Sequence, residues 1–179
     1  MVNVMNIKKV KVISVFGVFL ISFLCHFAYE WFPNVVFSII FPVNESIWEH
    51  MKIIVTSYLL YGIIDYLLLS KNGIIRNNFL FQLAFVPILG VLFYLIIYLP
   101  IYSLIGENMV VSIGLLFLIY IFMAIISYYF LMEESNKVLK IVSIPLIIIV
   151  YVLFTYLTYK PPKNYIFYDT VKEEYGIPK

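Results

Sequence analysis

Both histidines of this 179-residue chain, His26 and His50, lie in two short runs that also carry three of its ten acids. One run is His26-Phe27-Ala28-Tyr29-Glu30-Trp31. The other is Pro42-Val43-Asn44-Glu45-Ser46-Ile47-Trp48-Glu49-His50-Met51-Lys52. His26 and Glu30 stand four residues apart, as do Glu45 and Glu49. On a helix that spacing places side chains on one face. Neutral imidazole and carboxylate oxygen are ordinary zinc ligands, and a catalytic zinc keeps three protein ligands with one open position. The same groups without a metal suit acid–base chemistry, because a Glu and a His in a low-dielectric pocket shift each other's proton affinity. The candidate catalytic residues are therefore Glu30, Glu49 and His50. The candidate metal ligands are His26, Glu30, Glu45, Glu49 and His50, around a divalent ion such as zinc.

A purely structural account competes with both chemistries. Ser46-x-x-Glu49 has the form of a capping box, in which Ser46 accepts from the third backbone N–H and Glu49 reaches back. Trp31 and Trp48 would anchor helix ends at a membrane interface. Glu49 and Lys52 would form a three-apart ion pair. Capping explains Ser46, Glu49 and the tryptophans. It does not explain why His26, Glu30 and His50 gather in the same place.

The elements that must position these groups are membrane helices. The chain is 64% hydrophobic and 12% charged, with a mean hydropathy of +1.01. A soluble domain is closer to half apolar and a quarter charged. The net charge is only +2, and the twelve Lys and Arg residues are scattered rather than clustered. Nucleic-acid binding needs a clustered basic patch, so the bilayer is the expected partner, with a small molecule or ion as ligand. No protein partner is indicated. The single cysteine, Cys25, excludes an internal disulfide.

A spanning helix needs about 20 mostly apolar residues. Five stretches qualify, roughly 10–31, 46–70, 78–105, 108–132 and 138–159, giving an all-α polytopic bundle. The first follows Lys8, Lys9 and Lys11 like a signal peptide. It is long, however, and no small-x-small cleavage site follows it, so it reads as a retained span. Pro87, Pro100 and Pro145 fall inside helices, where neighbouring helices satisfy the freed carbonyls. The segment from Pro33 to Asn44 is apolar but too short to cross. It should lie in the interface or dip back as a re-entrant piece. The last twenty residues, 160–179, are polar but rich in aromatics, and should pack over the outer face.

Basic residues near span ends set orientation. With the N-terminus inside, Lys8, Lys9, Lys11, Lys71, Arg76, Lys137 and Lys140 are cytoplasmic. The expected topology is five spans in a bacterial inner membrane, with the C-terminus and the His/Glu cluster outside. Asp65 lies sixteen residues beyond Glu49, about 24 Å along a helix. It is either a structural group near the inner end, bonded to a tyrosine or snorkelling to the surface, or one stop on a proton or ion path. In the second case Glu30, Glu49 and Asp65 would serve a small ion-coupled transporter or accessory subunit. Tyr94, Tyr98 and Tyr102 form a four-spaced stripe, and Tyr151, Thr155 and Tyr159 another. They are either an interfacial belt or the lining of an outer cavity.

The Pro-Val-Asn-Glu-Ser-x-Trp-Glu-His-x-Lys run, with His26-x-x-Tyr29-Glu30-Trp31 upstream and Phe167-Tyr168-Asp169 and Tyr175-Gly176 in the tail, resembles an uncharacterised family of small bacterial multi-pass membrane proteins, a domain of unknown function. The resemblance implies a membrane bundle over nearly the whole chain. It implies no reaction.

Overall fold

The computed structural model describes residues 4–71 and 77–177; Arg76 and Lys179 lie outside them. Among the described residues the chain forms six helices and one two-stranded hairpin. They are α1 Val4–Trp31, α2 Val35–Ile40, α3 Ile47–Lys71, α4 Phe79–Ile105, α5 Met109–Met132, α6 Lys137–Tyr159, β1 Tyr168–Asp169 and β2 Glu174–Tyr175. All but α2 are long and apolar enough to cross a membrane. The protein is an all-α, multi-pass membrane bundle.

Helix boundaries follow local chemistry. Pro33 disfavours helical backbone in the residue before it, and α1 stops at Trp31. Asn108 caps α5 by accepting from the Val111 N–H, and Asn136 caps α6 by accepting from the Val138 and Leu139 N–H groups. Gly106 takes φ +69° after α4, a left-handed turn that glycine makes at little cost. Only α1 departs clearly from expectation, beginning at Val4 rather than near residue 10. Lysine is a good helix former, so the basic run continues the helix instead of preceding it.

In the bundle, α1 packs on α3 and α5, while α4 packs on α3, α5 and α6. Gly17 brings α1 close to α3: a Cβ there would lie 1.9 Å from the Tyr61 ring. Lipid tails are as apolar as the helix surfaces, so close packing and interhelical hydrogen bonds hold membrane helices together. Ser57 and Tyr120 join α3 to α5 at 2.9 Å, and Thr56 and Tyr151 join α3 to α6 at 2.8 Å. Gln82 of α4 accepts from both Tyr58 and Ser127. Isoleucine, leucine and valine side chains of α6 face outward along much of its length, including Ile141, Ile148 and Val152.

The short α2 packs beside α3, below its start. Lys52 and Thr56 lie five and nine residues into α3, about 8 and 13 Å below its start. Lys52 Nζ donates to the carbonyls of Ser38 (2.8 Å) and Phe41 (3.4 Å), and Thr56 Oγ1 donates to the Ile40 carbonyl (2.7 Å). These are carbonyls that a helix C-terminus leaves without internal partners. A cation beside them is favoured by the helix dipole. Ser38 also meets the Tyr159 hydroxyl at 2.9 Å, tying α2 to α6.

Candidate functional site

Three of the five candidate ligands converge at the end of the bundle that carries the C-terminal tail. α1 presents His26, the connector before α3 presents Glu45, and the first turn of α3 presents His50. His50 Nε2 lies 3.2 Å from Glu45 Oε2, and His26 Nε2 lies 3.8 Å from Glu45 Oε1. The two imidazoles stack with centroids 5.4 Å apart and planes inclined by 15°. One ligand atom from each of the three residues falls within 4.8 Å of the other two. A tetrahedral zinc site separates its donor atoms by roughly 3.3 Å, so small rotations bring this set to ligand geometry.

Backbone contacts fix the group. His50 Nδ1 stands 3.0 Å from the Ser46 carbonyl oxygen, one turn back in its own helix. The Glu45 N–H donates to Asp169 Oδ2 at 3.0 Å. The hydrogen bond from His50 holds the Glu45 carboxyl below its ordinary titration range, against the opposing effect of burial.

The cluster opens onto a cavity of about 270 Å³ among α1, α3, α4, α5 and the tail. Tyr94, Tyr98 and Tyr102 form one wall, so this stripe lines the cavity. Glu107 and Thr170 close one side, the threonine hydroxyl donating to Glu107 Oε2 at 2.6 Å. Tyr151 does not reach the cavity; its hydroxyl bonds Thr56 of α3.

The other two candidates lie elsewhere. Glu49 is buried and turned away from the histidines. Its Oε2 pairs with Lys52 Nζ at 2.7 Å and accepts from the Val43 N–H at 3.1 Å, and its Oε1 accepts from Thr158 at 2.6 Å. Half of the expected capping box forms, with Glu49 N–H donating to Ser46 Oγ at 3.3 Å. The Ser46 N–H instead bonds Asn44 Oδ1 at 2.9 Å. Glu30 is exposed on the last turn of α1.

At the opposite end, Asp65 pairs with Lys11 at 2.5 Å and accepts from Ser14 at 2.6 Å. Its partners are thus a lysine and a serine of α1, neither the tyrosine nor the solvent that the structural readings offered.

Asp169, Glu107 and Thr170 were not among the sequence candidates. Asp169 is 124 residues from Glu45, and no local spacing links them. The one signal was the aromatic content of the tail, whose Phe167 packs against Trp48 at 5.1 Å and whose Tyr165 stacks on Tyr102 at 6.1 Å.

No curated protein and no solved structure matches the chain at a significant level. A family model matches residues 1–177, almost the full length that contains both the bundle and the cluster. The chain therefore belongs to DUF6512, a family of unknown function.

Proposed function

We propose that the tail-end cavity is the reactive centre of this membrane protein, where His26, Glu45 and His50 hold a divalent cation such as zinc. The observation that carries this reading is the orientation of His50. A carbonyl oxygen only accepts, so at Ser46 the ring must donate from Nδ1. The protonated ring donates from Nε2 to the Glu45 carboxylate at 3.2 Å; in the neutral imidazole that nitrogen is an acceptor facing another acceptor. A divalent cation in place of that proton satisfies both. A ring N–H held by a backbone carbonyl is the outer-shell partner typical of metal-bound histidine. Three protein ligands leave a fourth position for the cavity, the arrangement of catalytic zinc. There a bound metal would polarise a carbonyl or phosphoryl oxygen, or lower the pKa of a bound water. Glu49, bound to Lys52, Thr158 and Val43, steadies the connector that carries Glu45. A transport path through Glu30, Glu49 and Asp65 has less support, because Glu49 and Asp65 are each neutralised by a lysine.

Protein reconstituted in phosphatidylcholine nanodiscs and equilibrated with zinc should retain about one ion per chain by elemental analysis. His50→Ala should weaken zinc affinity by more than about 100-fold, since loss of an outer-shell contact alone costs 10–100-fold. Unchanged zinc content in His50→Ala and His26→Ala would refute the assignment.

We further propose that the cluster faces the exterior of a bacterial inner membrane. The support is that Lys8, Lys9, Lys11, Lys71, Lys137 and Lys140 lie at the opposite end of the bundle, where basic residues mark the cytoplasmic side. Alkaline phosphatase fused after Lys179 should then be active. Activity of a fused cytoplasmic reporter instead would reverse the orientation.

A further inference from the structure

The cavity's walls also indicate what it admits. Its polar cluster occupies one corner, while Met51, Ile54 and Leu116 form an apolar floor. Two lining residues of α1, Phe23 and Phe27, are also 39% and 40% exposed, and Met109 of α5 is 75% exposed. A side chain that both lines the cavity and is exposed marks an edge of it; Glu107 and Thr170 mark the polar, tail-side edge, and Phe23, Phe27 and Met109 the apolar edge between α1 and α5. Deeper in the bundle the α1–α5 seam is shut by Phe19 and Phe117, with ring centroids 5.1 Å apart. One to two turns nearer the tail, Phe23 and Phe27 of α1 and Ile113 and Met109 of α5 all line the cavity.

This apolar mouth lies just inside the hydrocarbon boundary, below the lipid headgroups. The α1 span of 25 residues is about 37 Å long, against a hydrocarbon core of about 30 Å. His26, five residues before Trp31, then sits within about 4 Å of the core boundary. The apolar floor lies below it, in the same polarity order as the adjoining leaflet. A volume near 270 Å³ is at the small end for a ligand pocket. It suits a head group and a few carbons, with the chain leaving through the seam. A divalent cation held by one carboxylate and two neutral imidazoles keeps an open coordination position that an anionic oxygen suits, while the Glu107 carboxylate in the tail-side wall is bonded to Thr170.

We propose that the cavity takes a single-chain amphiphile with an anionic oxygen head group, a phosphate or a carboxylate, entering sideways from the bilayer between Phe23/Phe27 and Ile113/Met109. The head group rests on the proposed divalent centre; the lateral entry rests on the mouth alone.

The test uses zinc-loaded full-length protein in phosphatidylcholine nanodiscs, with empty nanodiscs as the baseline for partitioning. Dodecyl phosphate or dodecanoate should bind at least ten-fold more tightly than dodecanol and than inorganic phosphate. Whichever of the two binds more tightly identifies the head. Ile113→Trp, or Phe23→Trp from the opposite wall, should weaken that binding at least ten-fold with zinc content unchanged. Equal binding of inorganic phosphate would replace the amphiphile with a water-soluble anion. Equal binding of dodecanol, or no effect of either tryptophan, would overturn the proposal. If the protein holds no zinc yet binds the amphiphile in a tryptophan-sensitive way, the metal assignment falls and the lateral site stands. If it holds zinc yet binds no amphiphile, the lateral site falls and the metal assignment stands.

Discussion

Lys52→Met should destabilise the protein by about 3–5 kcal/mol, the usual cost of removing one partner from a buried ion pair. Lys52 is 0% and Glu49 2% exposed, so water cannot replace the lost partner. The substitution leaves Glu49 charged beside Val43 and Thr158, and strips the donor from the carbonyls of Ser38 and Phe41. Restoring charge balance should not rescue it. In Lys52→Met/Glu49→Leu the Val43 N–H, the Thr158 hydroxyl and the Ser38 carbonyl all lose partners, each worth about 1–3 kcal/mol when orphaned. Thermal unfolding in nanodiscs checks this: a double variant melting at the wild-type temperature would show that the pair contributes nothing beyond its own charges.

Breaking the pair at the other end should hurt as much, yet removing it whole should not. Asp65→Leu leaves Lys11 as an uncompensated buried cation, again at about 3–5 kcal/mol. Lys11→Met/Asp65→Leu should unfold within about 1 kcal/mol of wild type, because hydrophobic replacement of a buried pair is often neutral or stabilising. The contrast with Lys52 lies in what else depends on each pair. Among the described residues, Lys11 donates to Asp65, and Asp65 otherwise accepts only from Ser14, whose hydroxyl also bonds the Val10 carbonyl. No described loop backbone depends on either group. A large loss of stability in this double variant, measured in the same melting experiment, would point to a role for the pair beyond packing.

The five spans were legible because twenty-residue apolar runs separated by short polar connectors have few other readings. The cluster was legible as a neighbourhood but not as a set. Glu45 and Glu49 were grouped by their four-residue spacing, but that rule holds only within a helix, and α3 begins at Ile47. Glu45 therefore follows the connector toward the histidines, while Glu49 follows the helix toward Lys52. His26 and Glu30 do share α1, yet four residues advance a helix by more than a full turn. That offset carries Glu30 out to the surface. Where the 33–44 segment packs depends on Lys52, Thr56 and Tyr159, up to 121 residues away in sequence. Pairings that distant leave no periodic trace.

The ties between α2, α3 and the last helix also set an order of assembly. Ser38 meets Tyr159, Glu49 meets Thr158 and Thr56 meets Tyr151 across 121, 109 and 95 residues. None of these contacts exists until α6 has left the ribosome. Chains grow at only about 5–20 residues per second, so α2 and the Glu45 connector wait several seconds in the bilayer before their last partners arrive. The centre is therefore completed only once α6 and Asp169 of the tail have been made, and a chain cut short before α6 inserts its first spans without ever completing the site.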